Sequence, residues 1–129
     1  CPVNIFDRDF IIKKTLKKLK KRNIKVHVRS IFLQGLLLME KEKLPKYFKK
    51  WHNIFDIWYQ YLTENKISAI DACISFIKNQ KDIDKVIVGV DSVIHLNQIL
   101  KAFKSKRVIN NFNLKINNKY LLKPSLWRN

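Results

Sequence analysis

The sequence predicts an α/β protein with about three parallel strands and covering helices. Two short segments rich in β-branched residues, IKVHVRS at 24–30 and Val86 to Val88, alternate with segments of helical periodicity, and the opening CPVNIF is typical of a buried strand end. Strands that alternate with helices pair in parallel through right-handed crossovers. The chain contains no internal repeat and no flexible linker, so we expect one domain over residues 1–129.

A basic amphipathic helix is predicted after the first strand segment. Asp7 and Asp9 offer capping oxygens and negative charge at its start. Between Phe10 and Arg22 lysines cover most of the surface, and the apolar residues form a single stripe: Ile12, Leu16 and Leu19. Asn23 ends this helix, and we expect it to adopt a left-handed conformation before the strand at 24–30.

A long helix is predicted from Pro45 to Glu64. Its large side chains recur at three- and four-residue steps and form an aromatic stripe: Phe48, Trp51, Phe55, Trp58 and Leu62. Core packing is the default interpretation of such a stripe, and a platform for stacking nucleic-acid bases is the alternative. Gly35, one of only two glycines, lies in the preceding loop, where we expect a special backbone angle.

Another helix and a short strand follow in the second half. Ser68 with Asp71 matches the pattern of a capping box in which Asp replaces the usual Glu. The helix that it starts carries a core-facing apolar set: Ala69, Ala72, Cys73, Phe76 and Ile77. The strand from Val86 to Val88 is then bounded by Gly89.

The last predicted helix is capped by Asp91 or Ser92. Its apolar stripe is Leu96, Ile99, Leu100 and Phe103. The remaining residues, 105–129, have no sustained periodicity and indicate a tail packed over something larger.

Lysine and arginine give the chain a net charge of +17, which would attract nucleic acid and acidic surfaces. The basic residues are dispersed over predicted helix exteriors, and no RNA-binding or helix-turn-helix signature appears, so we expect no specific nucleic-acid partner. A basic nucleic-acid-binding module is the alternative.

No apolar run approaches the about 18 residues of a membrane span, so we expect no membrane partner. Cys1 and Cys73 lack metal-ligand spacing, which indicates reduced thiols, no metal site and a cytoplasmic protein.

Three strings together resemble the last strands of the aldo-keto reductase barrel. CPVNIFDRDF is similar to the family's sixth strand and its exit, VHVRSIFLQGLLL to the seventh strand and its cofactor loop, and DKVIVGVDSVIHLNQIL to the eighth strand and its phosphate turn. SAIDACISFI and KYLLKPSLW are similar to the helix before the eighth strand and to the closing tail. The resemblance therefore implies the C-terminal part of a (β/α)8 TIM barrel over residues 1–129.

The resemblance implies a site for NADP or NAD at the carboxyl ends of the strands, where barrels place their active sites. The residues that it assigns to cofactor binding are Arg29, Ser30, Phe32, Gln34, Gly89, Asp91, Ser92 and His95. The turn after the eighth strand would offer backbone N–H groups and a helix N-terminus to phosphate oxygens.

Three of these positions depart from the family's pattern, in two ways. Arg29 stands where many members place a Tyr that stacks on the nicotinamide, although a guanidinium can also stack or reach a pyrophosphate. Gly89 and His95 stand where the more basic members hold a 2′-phosphate, so the choice between NADP and NAD stays open.

The catalytic Asp, Tyr, Lys and His of the family belong to earlier strands, and we assign no catalytic residue to this chain. None of Tyr47, Tyr59, Tyr61 and Tyr120 falls where the family places its proton donor. Since the chain opens on Cys1 without an initiator Met, we expect a fragment that is inactive alone.

The implied whole protein reduces aldehydes or ketones to alcohols with a nicotinamide cofactor. The segment RSIFLQGLLL also resembles a bacterial branch of the family that occurs among surface-polysaccharide genes. This resemblance points to a small, sugar-like carbonyl substrate. A catalytically inactive cofactor-binding relative is a further alternative.

Overall fold

Three parallel segments lie side by side in the computed structural model, which describes residues 1–107 and 109–128. They are Cys1 to Val3, β1 (His27–Val28) and β2 (Lys85–Val86). β1 lies in the middle, because it pairs in parallel with β2 on one side and through a single parallel bridge between Pro2 and Arg29 on the other. The predicted parallel arrangement is confirmed, with two regular strands and one bridged segment.

Backbone hydrogen bonds fix the register of these segments. The Val3 amide donates to the Arg29 carbonyl at 3.2 Å, and the Ile87 amide donates to the Val28 carbonyl at 2.8 Å. Val26 and Val28 are buried while His27 is exposed, which is the alternation that the sequence predicts for a strand with one covered face. Both regular strands are shorter than predicted.

The first crossover contains two short helices, α1 (Asp9–Ile12) and α2 (Thr15–Lys21), where a single helix was predicted. The chain breaks at Lys14, which has a left-handed φ of 56°. The single-helix prediction was wrong because the break changes which face is buried: α1 packs Phe10 and Ile11 against the core and leaves Ile12 exposed. Asn23 has a φ of 58°, so its predicted left-handed conformation is confirmed.

The segment between β1 and the second half of the chain is mostly 3-10 turns followed by a long helix. The turns span Leu36–Leu38, Lys41–Lys43 and Lys46–Trp51, and α3 spans His52–Glu64. The predicted helix from Pro45 is therefore α-helical only in its later part. Gly35 has a φ of 82°, as expected for a glycine at a special backbone angle.

The aromatic stripe of this region forms the core of the molecule. Phe48, Phe55 and Trp58 are buried, and the ring of Trp58 lies 5.7 Å from that of Phe6 and 5.5 Å from that of Phe112. The buried indole of Trp58 donates to the Leu37 carbonyl at 3.2 Å, so its polar edge is satisfied. Core packing is thus confirmed, and these rings are not available for base stacking.

α4 (Ala69–Lys78) packs against α5 (Val93–Lys104). The hydroxyl of Ser68 accepts the Asp71 amide at 3.1 Å, which confirms Ser68 as the cap of α4. On the core face of α4 Ala72, Cys73 and Ile77 are buried as predicted. Burial raises the pKa of the Cys73 thiol, so this cysteine behaves as a small apolar residue.

The predicted stripe of α5 was only partly correct. Ile99 and Ala102 are buried, whereas Leu96 is 37% and Leu100 47% exposed. Apolar residues occur on more than one side of this helix, and periodicity alone does not tell which side meets α4. The side left open, which we call the α5 apolar face, consists of Val93, Ile94, Leu96 and Leu100, with Val93 and Ile94 each 73% exposed.

The tail, which was predicted to pack over something larger, packs on the core of this chain. Phe112 and Leu121 are buried, and α6 (Lys119–Leu122) is followed by a 3-10 turn at Pro124–Leu126. The ring of Trp127 meets that of Phe48 edge-on at 4.8 Å. Val108 and Asn129 of the predicted tail lie outside the described residues.

Candidate functional site

A cavity of about 900 Å³ opens at the carboxyl ends of the Cys1 to Val3 segment and β1. Its walls come from three parts of the chain: residues 2–13 at the exit of the first segment, residues 29–34 after β1, and residues 115–125 in the tail. This volume lies within the roughly 300 to 1,000 Å³ that is usual for small-molecule sites. Three of the predicted cofactor residues, Arg29, Ser30 and Gln34, line it.

Asn4 ties the first exit to the loop after β1. Its side chain is buried, and its Oδ1 accepts the Phe6 amide at 3.0 Å and the Asp7 amide at 2.8 Å. Its Nδ2 donates to the Ser30 carbonyl at 3.1 Å. Asn4 is the only buried polar residue in the part of the chain that the structure describes, and all three bonds serve to hold the cavity wall.

The loop after β1 contains a run of unusual backbone conformations. Ser30 has a φ of 60°, Leu33 of 48° and Gln34 of 56°, and Gly35 follows with its left-handed φ. Non-glycine residues adopt such angles rarely and only where the surrounding structure imposes them. Here burial of Leu33 and of its apolar neighbours, together with the Asn4 bond, imposes them, so the loop has a fixed shape.

The predicted residues of this loop face two directions. The guanidinium of Arg29 is exposed, and its Nη1 donates to the Ser30 hydroxyl at 3.2 Å. Gln34 is also exposed at the cavity. Phe32 is buried and does not line the cavity; its ring lies 6.1 Å from the imidazole of His95 on α5.

The exit of β2 is much more open. Gly89, Asp91 and Ser92 are exposed, and none of them lines the cavity. The Ser92 hydroxyl accepts the His95 amide at 3.0 Å, so Ser92, of the two predicted candidates, caps α5. A Cβ at Gly89 would meet no atom within 4 Å, and its φ is not left-handed, so the fold itself does not require glycine there.

His95 is the one predicted residue that joins the two exits. Its Nδ1 lies 3.5 Å from the Asp91 carboxylate, and its Nε2 is buried without a hydrogen-bond partner within the described residues. A buried ring nitrogen without a partner is uncommon in proteins and calls for one. The structure therefore brings the predicted residues to one edge of the sheet, in two groups that meet at the Phe32–His95 contact.

The cavity is electrically positive. Six cationic side chains line it, Arg8, Lys13, Arg29, Lys115, Lys119 and Lys123, against two carboxylates, Asp7 and Asp9. Burial raises the pKa of Asp7, and this effect outweighs the hydrogen bond from the Asp9 amide. Sequence reasoning missed Asn4 and the tail lysines. A polar residue inside the apolar string CPVNIF was a usable signal for Asn4, whereas no sequence signal marked the tail lysines.

Three of the four tyrosines donate their hydroxyls to main-chain carbonyls. Tyr47 donates to the Tyr120 carbonyl at 3.0 Å, Tyr59 to the Met39 carbonyl at 2.9 Å, and Tyr61 to the Asn110 carbonyl at 2.7 Å. Burial raises the pKa of Tyr59 to about 12 and also raises that of Tyr61. Among the described lining residues of the cavity there is no tyrosine.

Residues 1–107 and 109–128 contain no cluster of three or more His, Cys, Asp or Glu side chains able to hold a metal ion. None of the helices in these ranges is both long and apolar enough to cross a membrane.

Comparison with known proteins identifies the family. No curated protein and no solved structure matches the chain at a level that indicates a relationship. The model of the aldo/keto reductase family, in contrast, matches residues 2–115, which include both strand exits and most of the cavity wall. This match spans most of the 129 residues, so the chain belongs to the aldo/keto reductase family of oxidoreductases.

Proposed function

We propose that this chain forms the last part of a (β/α)8 barrel and supplies one side of its nicotinamide-dinucleotide site. The whole protein would then reduce aldehydes or ketones to alcohols with NADP or NAD, in the cytoplasm. One observation carries the proposal: β1 and β2 are parallel neighbours whose exits are joined at the Phe32–His95 contact. Active sites of barrels form at this end of the strands.

The residues present suit a dinucleotide. Ser92 caps a helix of 12 residues whose first turn faces the open side of the β2 exit, and the free N–H groups of a helix start favour phosphate oxygens. Arg29 adds a cation at the end of β1, and guanidinium groups bind phosphate in a bidentate way. His95, in the first turn of the same helix, has a buried Nε2 without a partner among the described residues, and its ring lies 6.1 Å from that of Phe32.

Each residue has a distinct role in this proposal. The bound nicotinamide supplies the hydride that a carbonyl carbon accepts. Ser30 and Gln34, in their fixed conformations, orient the nicotinamide end at the cavity, and the turn from Gly89 to Ser92 holds the phosphates. A proton donor is needed as well, and a tyrosine whose pKa is raised, as in Tyr59 and Tyr61, is a poor acid at neutral pH. We therefore place the proton donor on other strands of the barrel.

The proposal is tested by dinucleotide binding to variants of this chain. We expect Arg29→Ala to weaken the binding of NADP and NAD about tenfold, since a charge-assisted contact to phosphate is lost. The control is Arg22→Ala at the end of α2, which removes the same charge from an exposed position far from both exits. Calorimetric titration of the three proteins measures the effect.

Two results would contradict the proposal: no measurable binding of either dinucleotide, or equal weakening in the two variants. Equal weakening would mean that the net charge of +17, and not the site, attracts the anionic ligand.

A further inference from the structure

The cavity at the strand exits holds more positive charge than its carboxylates neutralise. Asp9 is already paired with Lys13 at 2.9 Å. Burial raises the pKa of Asp7, while the charge of Lys123 lowers it. Arg8 is also committed, because its Nε donates to the Ile5 carbonyl at 2.8 Å. Asp9 thus pairs with one of the cations, Asp7 partly offsets the charge of Lys123 without an ion pair among the described residues, and a structural role accounts for Arg8.

Three cations of the cavity wall are left, namely Arg29, Lys115 and Lys119. All three are exposed, and none takes part in an ion pair within residues 1–107 and 109–128. Arg29 belongs to the loop assigned above to the dinucleotide. Lys115 and Lys119 come from the tail, a different part of the cavity wall from that loop, so we assign them to a second ligand.

The tail holds these two lysines in place. Asn118, between them, accepts the Tyr120 amide at 3.0 Å and so starts α6. Leu121 is buried in the core, and the Tyr47 hydroxyl donates to the Tyr120 carbonyl. An ordered backbone reduces the entropy that a lysine loses on binding. Lys115 and Lys119 therefore differ from the lysines scattered over the helix exteriors, because they line the cavity from an ordered backbone.

From this arrangement we infer that the cavity selects carbonyl substrates that carry an anionic group, a phosphate or a carboxylate, and that Lys115 and Lys119 bind that group. The inference rests on the proposed function, since it assigns the substrate end of the same site. Both groups present several acceptor oxygens to ammonium donors, and neither would be favoured by a cavity with balanced charge. A volume of about 900 Å³ accommodates a sugar-sized molecule beside the nicotinamide.

The test uses three hexoses that differ only at carbon 6: glucose 6-phosphate, glucuronate and glucose. They are titrated calorimetrically into the full chain and into Lys115→Gln/Lys119→Gln. The matched control is Lys101→Gln/Lys104→Gln, which removes the same two charges from exposed positions on α5. All proteins are also titrated with NADP, and circular dichroism verifies that the variants keep their helices.

We expect at least one anionic sugar to bind about tenfold more tightly than glucose, and the tail variant to abolish that preference. The control variant should keep the preference within about twofold, and the tighter anion identifies phosphate or carboxylate as the preferred group. Equal affinity for glucose and both anions, or equal loss in the two double variants, would overturn the inference. If NADP binding fails while the sugar preference persists, the proposed dinucleotide function fails and the anion subsite stands. If NADP binds normally and no sugar preference appears, only the subsite is refuted.

Discussion

The two strand exits of the candidate site are built in opposite ways. After β1, the loop from Ser30 to Gly35 sits on buried apolar residues and is tied by Asn4, and four of its residues have a left-handed backbone. After β2, residues from Gly89 to Ile94 are exposed, and a single cap at Ser92 starts α5. The first exit thus has its shape before any ligand arrives, whereas the second depends on one side-chain hydrogen bond. The difference implies that mutations will affect stability mainly at the first exit and binding mainly at the second.

The largest loss of stability is expected for Asn4→Ala. The change leaves the Phe6 and Asp7 amides and the Ser30 carbonyl without their partner, which should lower the free energy of unfolding by about 2 to 4 kcal/mol. Urea denaturation of the variant and of the unchanged chain measures this difference in the free energy of unfolding. The control is Asn113→Ala, an exposed asparagine in the tail, which should change stability by less than about 0.5 kcal/mol. Equal effects of the two changes would mean that Asn4 does not hold the loop.

An intermediate loss of stability is expected for Ser92→Ala, which removes the cap of α5. The free energy of unfolding should fall by about 1 kcal/mol, and dinucleotide affinity should fall as well. Ser68→Ala removes the equivalent cap of α4 and should cost a similar amount while leaving dinucleotide affinity unchanged. If Ser92→Ala and Ser68→Ala have the same effect on binding, the start of α5 is not a phosphate site.

The smallest effect on stability is expected for Gly89→Ala, and a comparison of the two glycines shows it. Gly35 has a left-handed φ of 82°, so Gly35→Ala should cost about 1 kcal/mol. At Gly89 a methyl group meets open space, and the change should stay within about 0.5 kcal/mol. Dinucleotide affinity should nevertheless drop about tenfold in Gly89→Ala, since the added group blocks close approach of a phosphate to the backbone. Unchanged affinity would remove Gly89 from the proposed site.

The sequence predicted the features that depend on local residue types. Asn23 and Gly35 are left-handed because these residues tolerate that conformation, and Ser68 and Ser92 cap helices because their hydroxyls reach a nearby amide. The resemblance to a family added the order of the strands and the location of the site at their carboxyl ends.

What the sequence did not predict depends on contacts between distant residues. Lys14 and Leu33 have left-handed φ values that their side chains do not favour, so tertiary packing imposes them. The same holds for the orientation of α5, which buries Ile99 and Ala102 while exposing Leu100. The lysines of the tail meet the cavity only because Leu121 is buried more than 100 residues after the strand exit at Asn4.

The α5 apolar face has a consequence for how molecules of this chain meet one another. Val93 and Ile94 project from a molecule whose net charge of +17 repels its copies. The range of that repulsion is about 30 Å at 0.01 M salt and about 8 Å at 0.15 M. Added salt thus screens the repulsion between molecules without weakening the attraction between their apolar surfaces. A protein that is soluble at low ionic strength should therefore aggregate as the ionic strength rises.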